Sequence, residues 1–132
     1  MQYFLGVFLI LHGLVHGLYA GQSARFFELK PGMTWPDGAW AFSKILGDAI
    51  TRNLASIALL LAAISLAVSG AGILFNQPWW KPVVIGAATL SSVILILLWN
   101  GKLQNLDGQG VIGVAINLAI SITVLLLRWP VV

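Results

Sequence analysis

The chain has 132 residues, 59% of them hydrophobic and only 8% charged, with a formal net charge of +3. A water-soluble domain carries roughly 25% charged residues, so this composition excludes a surface that faces water all round, and the length leaves room for one domain. The seven basic residues are dispersed rather than clustered, which argues against a nucleic-acid partner, and the absence of cysteine excludes disulfides, thiolate metal sites and iron–sulfur clusters.

The first apolar segment covers residues 2–22, close to the roughly 20 residues a helix needs to cross a bilayer. A cleaved signal peptide fits it poorly, because no basic region leads it and its apolar run exceeds the usual stretch of roughly 7–15 residues. It holds both histidines, His12 and His16. Four residues apart, they stack on one helical face. Gly13, Gly17 and Gly21 make an adjacent stripe that lets another backbone approach closely. That backbone belongs either to another helix of the same chain or to a partner in a homodimer or larger membrane complex.

A polar connection follows over residues 23–50, carrying Arg25, Glu28, Lys30, Asp37, Lys44 and Asp48. Pro31, Gly32, Pro36 and Gly38 punctuate it with turns. Asp37 is the expected cap of a short helix over residues 39–47. Phe26, Phe27, Trp35, Trp40 and Phe42 suggest a segment lying on the membrane with its aromatics at headgroup level. The alternative is a plain tether.

The second helix is expected over residues 51–75, capped by Thr51 and rich in the small residues that favour close packing. Asn76-Gln77-Pro78 turns the chain into Trp79-Trp80-Lys81-Pro82, an aromatic belt with a basic anchor. The third helix is expected over residues 79–101 and the fourth over residues 110–128. In the fourth, Gly113, Asn117 and Ser121 form a polar stripe at four-residue spacing.

These segments predict an all-α integral membrane protein. Its architecture is an antiparallel four-transmembrane-helix bundle with an interfacial segment between helices 1 and 2, because long apolar runs can satisfy their backbone in lipid only as helices. Four crossings put both termini on one side. The first and third connections carry Arg25, Lys30, Lys44, Arg52 and Lys102, against Lys81 and Arg128 on the other side. The positive-inside rule therefore places the termini outside the cytoplasm.

A polar side chain within hydrocarbon must face a partner or a cavity, so the histidines are the first candidate site. They could bind a small molecule, hydrogen-bond to Asn117, Ser92 or Ser65, or together ligate a transition metal. No acidic residue lies inside an apolar segment to complete a metal site, and Asn117 or Asn100 would be a weak substitute. A haem held on both faces by histidine would need a second protomer. Near the membrane surface, Arg52 and Lys102 form either an anion or lipid-headgroup site or an ion-pair cluster with Asp48 and Asp107. The chain has no phosphate loop, no GxSxG elbow and no HExxH motif, so nothing supports a hydrolase.

One resemblance extends over most of the chain. It is carried by His12-Gly13-Leu14-Val15-His16, Ile50-Thr51-Arg52, Trp79-Trp80, Leu90-Ser91-Ser92-Val93-Ile94-Leu95-Ile96 leading to Trp99-Asn100-Gly101-Lys102, and Asn117. These features resemble a group of small bacterial integral membrane proteins with four predicted spans and no assigned activity. The group tends to have an acidic residue where Asn100 stands, and a shorter connection before helix 2. The resemblance implies four helices in a bacterial inner membrane and supplies no reaction.

The expected function is binding of a hydrophobic or amphipathic molecule (a lipid, quinone, isoprenoid or porphyrin) between the helices. His12, His16, Asn117 and Asn100 would supply polar contacts and Trp99 a wall. The alternatives are an accessory subunit of a larger membrane complex and a metal- or haem-dependent redox protein or isomerase.

Overall fold

The computed structural model describes residues 1–130. The elements are α1 (Gln2–Ser23), α2 (Ser43–Leu46), α3 (Asp48–Leu74), α4 (Trp80–Leu97), a 3-10 turn (Asp107–Gln109) and α5 (Val111–Leu125), with no strand among the described residues. Helices α1, α3 and α4 are long and apolar enough to cross a membrane. At 1.5 Å per residue they reach about 33, 40 and 27 Å, against about 30 Å of hydrocarbon. Helix α5 is apolar but spans only about 22 Å.

Several expected boundaries shift for local reasons. Helix α3 begins at Asp48, because Gly47 turns the chain with φ 81° just before it. Thr51 is therefore inside the first turn, and its hydroxyl donates to the Gly47 carbonyl at 2.8 Å rather than capping. Helix α4 stops at Leu97 instead of running to residue 101, since the Trp99 carbonyl turns away to accept the Trp40 N–H at 2.8 Å. Helix α5 ends at Leu125, three residues short of 128, ahead of a left-handed Arg128.

Helices α1 and α3 run antiparallel along the most extensive seam of the molecule. Gly6 lies against Gly70 and Leu74, Gly13 against Ala63 and Ala67, and the Ala20 carbonyl accepts the Ser56 hydroxyl at 2.7 Å. A Cβ on Gly13 would come within 2.7 Å of the Ala63 carbonyl oxygen. Gly13 thus serves packing inside the chain. Gly21 is covered by the Phe27 ring, and only Gly17 of the three has open space beside it. The glycine stripe is therefore not a continuous free face for a second copy.

Helix α4 packs on α3 and α5 on α4. Trp80 is fully buried in an apolar cluster with Leu9, Leu66, Ile73 and Val84, so it belongs to the core rather than to an aromatic belt. Trp79 remains half exposed. A second cluster gathers Ala20, Trp35, Ala55, Leu59, Leu95 and Leu98 towards the other end.

Both long connections meet at that second end. Gln22, fully buried, donates to the Met33 carbonyl at 3.1 Å and accepts the Leu29 N–H at 2.8 Å. Arg25 donates to the Trp35 and Thr34 carbonyls at 2.9 and 2.6 Å. The connection after α1 is thus a folded cap pinned to the helix ends, not a tether. Asp37 caps no helix, because both of its oxygens are taken by Arg52 at 2.6 and 2.8 Å and Arg25 approaches at 3.0 Å. The short helix shrinks to four residues, with Ala39 and Phe42 turned inward and Ile45 exposed. Gln2 bonds Asn76 at the opposite end, near Trp129 and Pro130, so the first and last described residues share that end.

Candidate functional site

Helix α1 carries His12 and His16 into the interior, where they are 4% and 3% exposed; Asn117 on α5 is 1% exposed and Ser91 on α4 is fully buried. Their hydrogen bonds form one chain whose directions can be assigned. The His12 Nε2–H donates to Asn117 Oδ1 at 2.8 Å, since an amide oxygen only accepts. Asn117 Nδ2 donates to Ser91 Oγ at 2.9 Å. The His16 Nδ1–H donates to the His12 carbonyl at 3.0 Å. That leaves His16 Nε2 as an acceptor, which the Ser91 hydroxyl satisfies. The two neutral imidazoles therefore hold opposite tautomers. Each of these four bonds pairs one proton with one acceptor, as low-dielectric surroundings demand. The rings of His12 and His16 meet edge to face at 4.6 Å, and Phe8 stacks on the far side of His12 at 6.0 Å.

Only one ring nitrogen is left over. His12 Nδ1 has no hydrogen-bond partner among the described residues, and it is not one of the sealed, unpartnered atoms. His12 and His16 line a cavity of about 260 Å³ together with Val15, Tyr19, Leu59 and Leu95 and, from α5, Ile112 and Ile116. Helices α1 and α5 share no extended backbone seam here. Val15 and Ile112 flank the gap and are outwardly exposed, so the cavity opens sideways. At its loop end sits Asp107, whose carbonyl accepts the Tyr19 hydroxyl at 3.0 Å and whose carboxylate pairs with Lys30 at 2.6 Å. This hydrogen bond pulls the Asp107 carboxyl below its usual value and raises Lys30.

The remaining expected site residues are dispersed. Asn117 backs the histidines without lining the cavity. Trp99 borders a separate apolar pocket of about 170 Å³ with Leu106 and Val111, and its Nε1–H donates to the Lys102 carbonyl at 2.8 Å. Asn100 closes a turn, accepting the Lys102 N–H at 2.9 Å, and lines a polar hollow under the cap. Neither joins the histidines, because α4 has ended before them and the chain has turned outward. Arg52 is committed to Asp37, and among the described residues Lys102 makes no ion pair. Asp48 accepts from the Gly38 N–H at 3.0 Å and Asp107 holds Lys30, so the expected cluster of Arg52, Lys102, Asp48 and Asp107 separates into different contacts.

The histidines also do not offer two nitrogens to one metal ion. Both nitrogens of His16 and one of His12 are already bonded, and no group of three metal-ligating side chains occurs among the described residues. Ser65 and Ser92 are not the histidine partners; Ser91 is, because the face of α4 that meets α1 and α5 carries Ser91, Ala88 and Leu95. Sequence reasoning missed Ser91, Tyr19 and Gln22. A polar residue at the end of an apolar run was the available signal for Gln22. Searches against protein-family models, curated proteins and solved structures found no match for this chain.

Proposed function

We propose that this protein binds a small amphipathic molecule drawn from the bilayer, held in the cavity between α1 and α5. The observation that carries this reading is a buried imidazole with one unused nitrogen beside a largely apolar cavity that opens sideways, its other polar groups, His16, Tyr19 and Asp107, already hydrogen-bonded. Ligand sites combine apolar walls with a few placed polar groups, and a polar group within lipid-buried protein is a functional candidate. The volume of about 260 Å³ falls just below the range of roughly 300–1,000 Å³ for whole ligands. The head of a longer molecule would enter while its tail remained between the helices and the lipid.

In this reading α5 is the fourth span, shorter than the others, and the molecule is an antiparallel four-helix membrane bundle. The resemblance to small bacterial membrane proteins supports an inner-membrane location, with the basic connections on the cytoplasmic side and the termini outside. His12 supplies the polar contact, His16 and Asn117 hold it, and Val15, Leu59, Ile112 and Ile116 form the apolar wall.

Native mass spectrometry of protein released from mild detergent tests the proposal. The wild type should carry a small-molecule adduct that the His12→Leu, His16→Leu double variant lacks, with both folded by circular dichroism. An adduct retained by the folded double variant would overturn it, and so would a wild type that takes up no small molecule from a bacterial lipid extract.

A further inference from the structure

The direction of the polar chain adds the class of ligand, an inference that rests on the binding reading above. His12 Nε2–H is held as a donor by the Asn117 carbonyl oxygen. Asn117 cannot be turned to present its amide nitrogen instead, because that nitrogen donates to Ser91, whose own proton is required by His16 Nε2. The His16 tautomer is set in turn by the His12 carbonyl. Reversing any one bond sets two acceptors, or two donors, against each other or leaves a proton without an acceptor, in an interior where an unmet group costs about 1–3 kcal/mol. Four residues on three helices thereby fix what His12 shows to the cavity. It shows a lone pair at Nδ1.

We infer that the ligand presents a hydroxyl or N–H donor to His12 Nδ1: a phenol, quinol or alcohol carried on an apolar body, rather than a ketone, quinone or ether of the same shape. An acceptor oxygen there would meet the lone pair and gain nothing for its lost hydration. The walls suit the apolar body, since Val15, Leu59, Leu95, Ile112 and Ile116 offer no polar group, and Tyr19 is already engaged by Asp107. A site built to bond a donor discriminates strongly against the analogue that lacks one.

The test is a matched pair of probes, 4-propylphenol and its methyl ether 4-propylanisole, titrated into the full chain in lipid nanodiscs. Saturable binding is read by ligand-observed NMR against empty nanodiscs. The phenol should bind about tenfold more tightly than the ether, the effect of one well-made hydrogen bond. His12→Phe should reduce that ratio to about one. Ile116→Phe, which fills the apolar wall and leaves the polar chain intact, should weaken both probes together. Equal saturable binding of both probes to the wild type, lost in I116F, would overturn the donor inference while leaving the cavity a binding site. No saturable binding of either probe would overturn both.

Discussion

Replacing Asn117 with leucine is the sharpest perturbation of the polar chain, because leucine keeps asparagine's branched four-atom side-chain skeleton, removes its polar atoms and opens no cavity. Asn117 makes two side-chain bonds, accepting from His12 and donating to Ser91. With leucine, the His12 Nε2–H loses its acceptor in a buried site, at about 1–3 kcal/mol. Ser91 loses one donor but still gives its proton to His16, so that bond is worth nearer the membrane average of about 0.6 kcal/mol. The expected destabilisation is about 2–3 kcal/mol, measured by reversible unfolding in mixed micelles of mild detergent and dodecyl sulfate. Ser121→Ala supplies the contrast: its hydroxyl bonds the Asn117 carbonyl within the same helix, and its loss should stay within about 0.5 kcal/mol. Adding His12→Phe to Asn117→Leu removes the orphaned donor, so the double variant should be at least 1 kcal/mol more stable than additivity requires. An Asn117→Leu protein within about 0.5 kcal/mol of wild type, or a strictly additive pair, would refute the assigned chain.

Other consequences are equally direct. Gly13→Ala should destabilise, since its Cβ would lie 2.7 Å from the Ala63 carbonyl oxygen, whereas Gly17→Ala meets open space and should raise the melting temperature through helix propensity alone, roughly 1 kcal/mol; the same sign for both would argue against the α1–α3 seam. Asp37→Asn removes the charge that holds two arginines, and should speed hydrogen exchange across residues 24–47 while leaving α4 unchanged; no change there would mean the cap is held without it. The Asp107 carboxyl sits below its usual value, so its pairing contributes above the ordinary carboxylate range and is lost as pH falls through its lowered value; Lys30 is raised, so its share is lost only as pH rises beyond the ordinary lysine range. Exchange in residues 103–110 should thus be slower at about pH 7 than at about pH 3 after correction for intrinsic rates, a difference that Asp107→Asn should abolish.

The helical class and its three long apolar helices are legible in the chain because lipid forces long apolar runs into helices. The nearness of His12, His16 and Asn117 is equally readable: polar groups at four-residue spacing on apolar helices must find one another. Which serine joins them is not. Ser91 and Ser92 differ by 100° around α4, and the choice follows from rotations fixed by packing such as Trp80 on Gly72, which no local pattern encodes. The cap over the loop end was hidden for a related reason. Gln22 and Arg25 hold it through backbone carbonyls of Met33, Thr34 and Trp35, and carbonyl contacts carry no residue signature. Trp99, expected beside the histidines, was displaced because α4 stops two residues before it, at Leu97.

The central claim is that His12 turns an unprotonated Nδ1 towards the cavity while His16 holds the opposite tautomer. Nitrogen-15 NMR of histidine-labelled protein in lipid nanodiscs reads this directly. The account predicts a proton on Nε2 of His12 and on Nδ1 of His16, with only the His12 Nδ1 signal moving when 4-propylphenol is added. A proton on His12 Nδ1, the same tautomer in both rings, or a phenol that shifts neither histidine would contradict it.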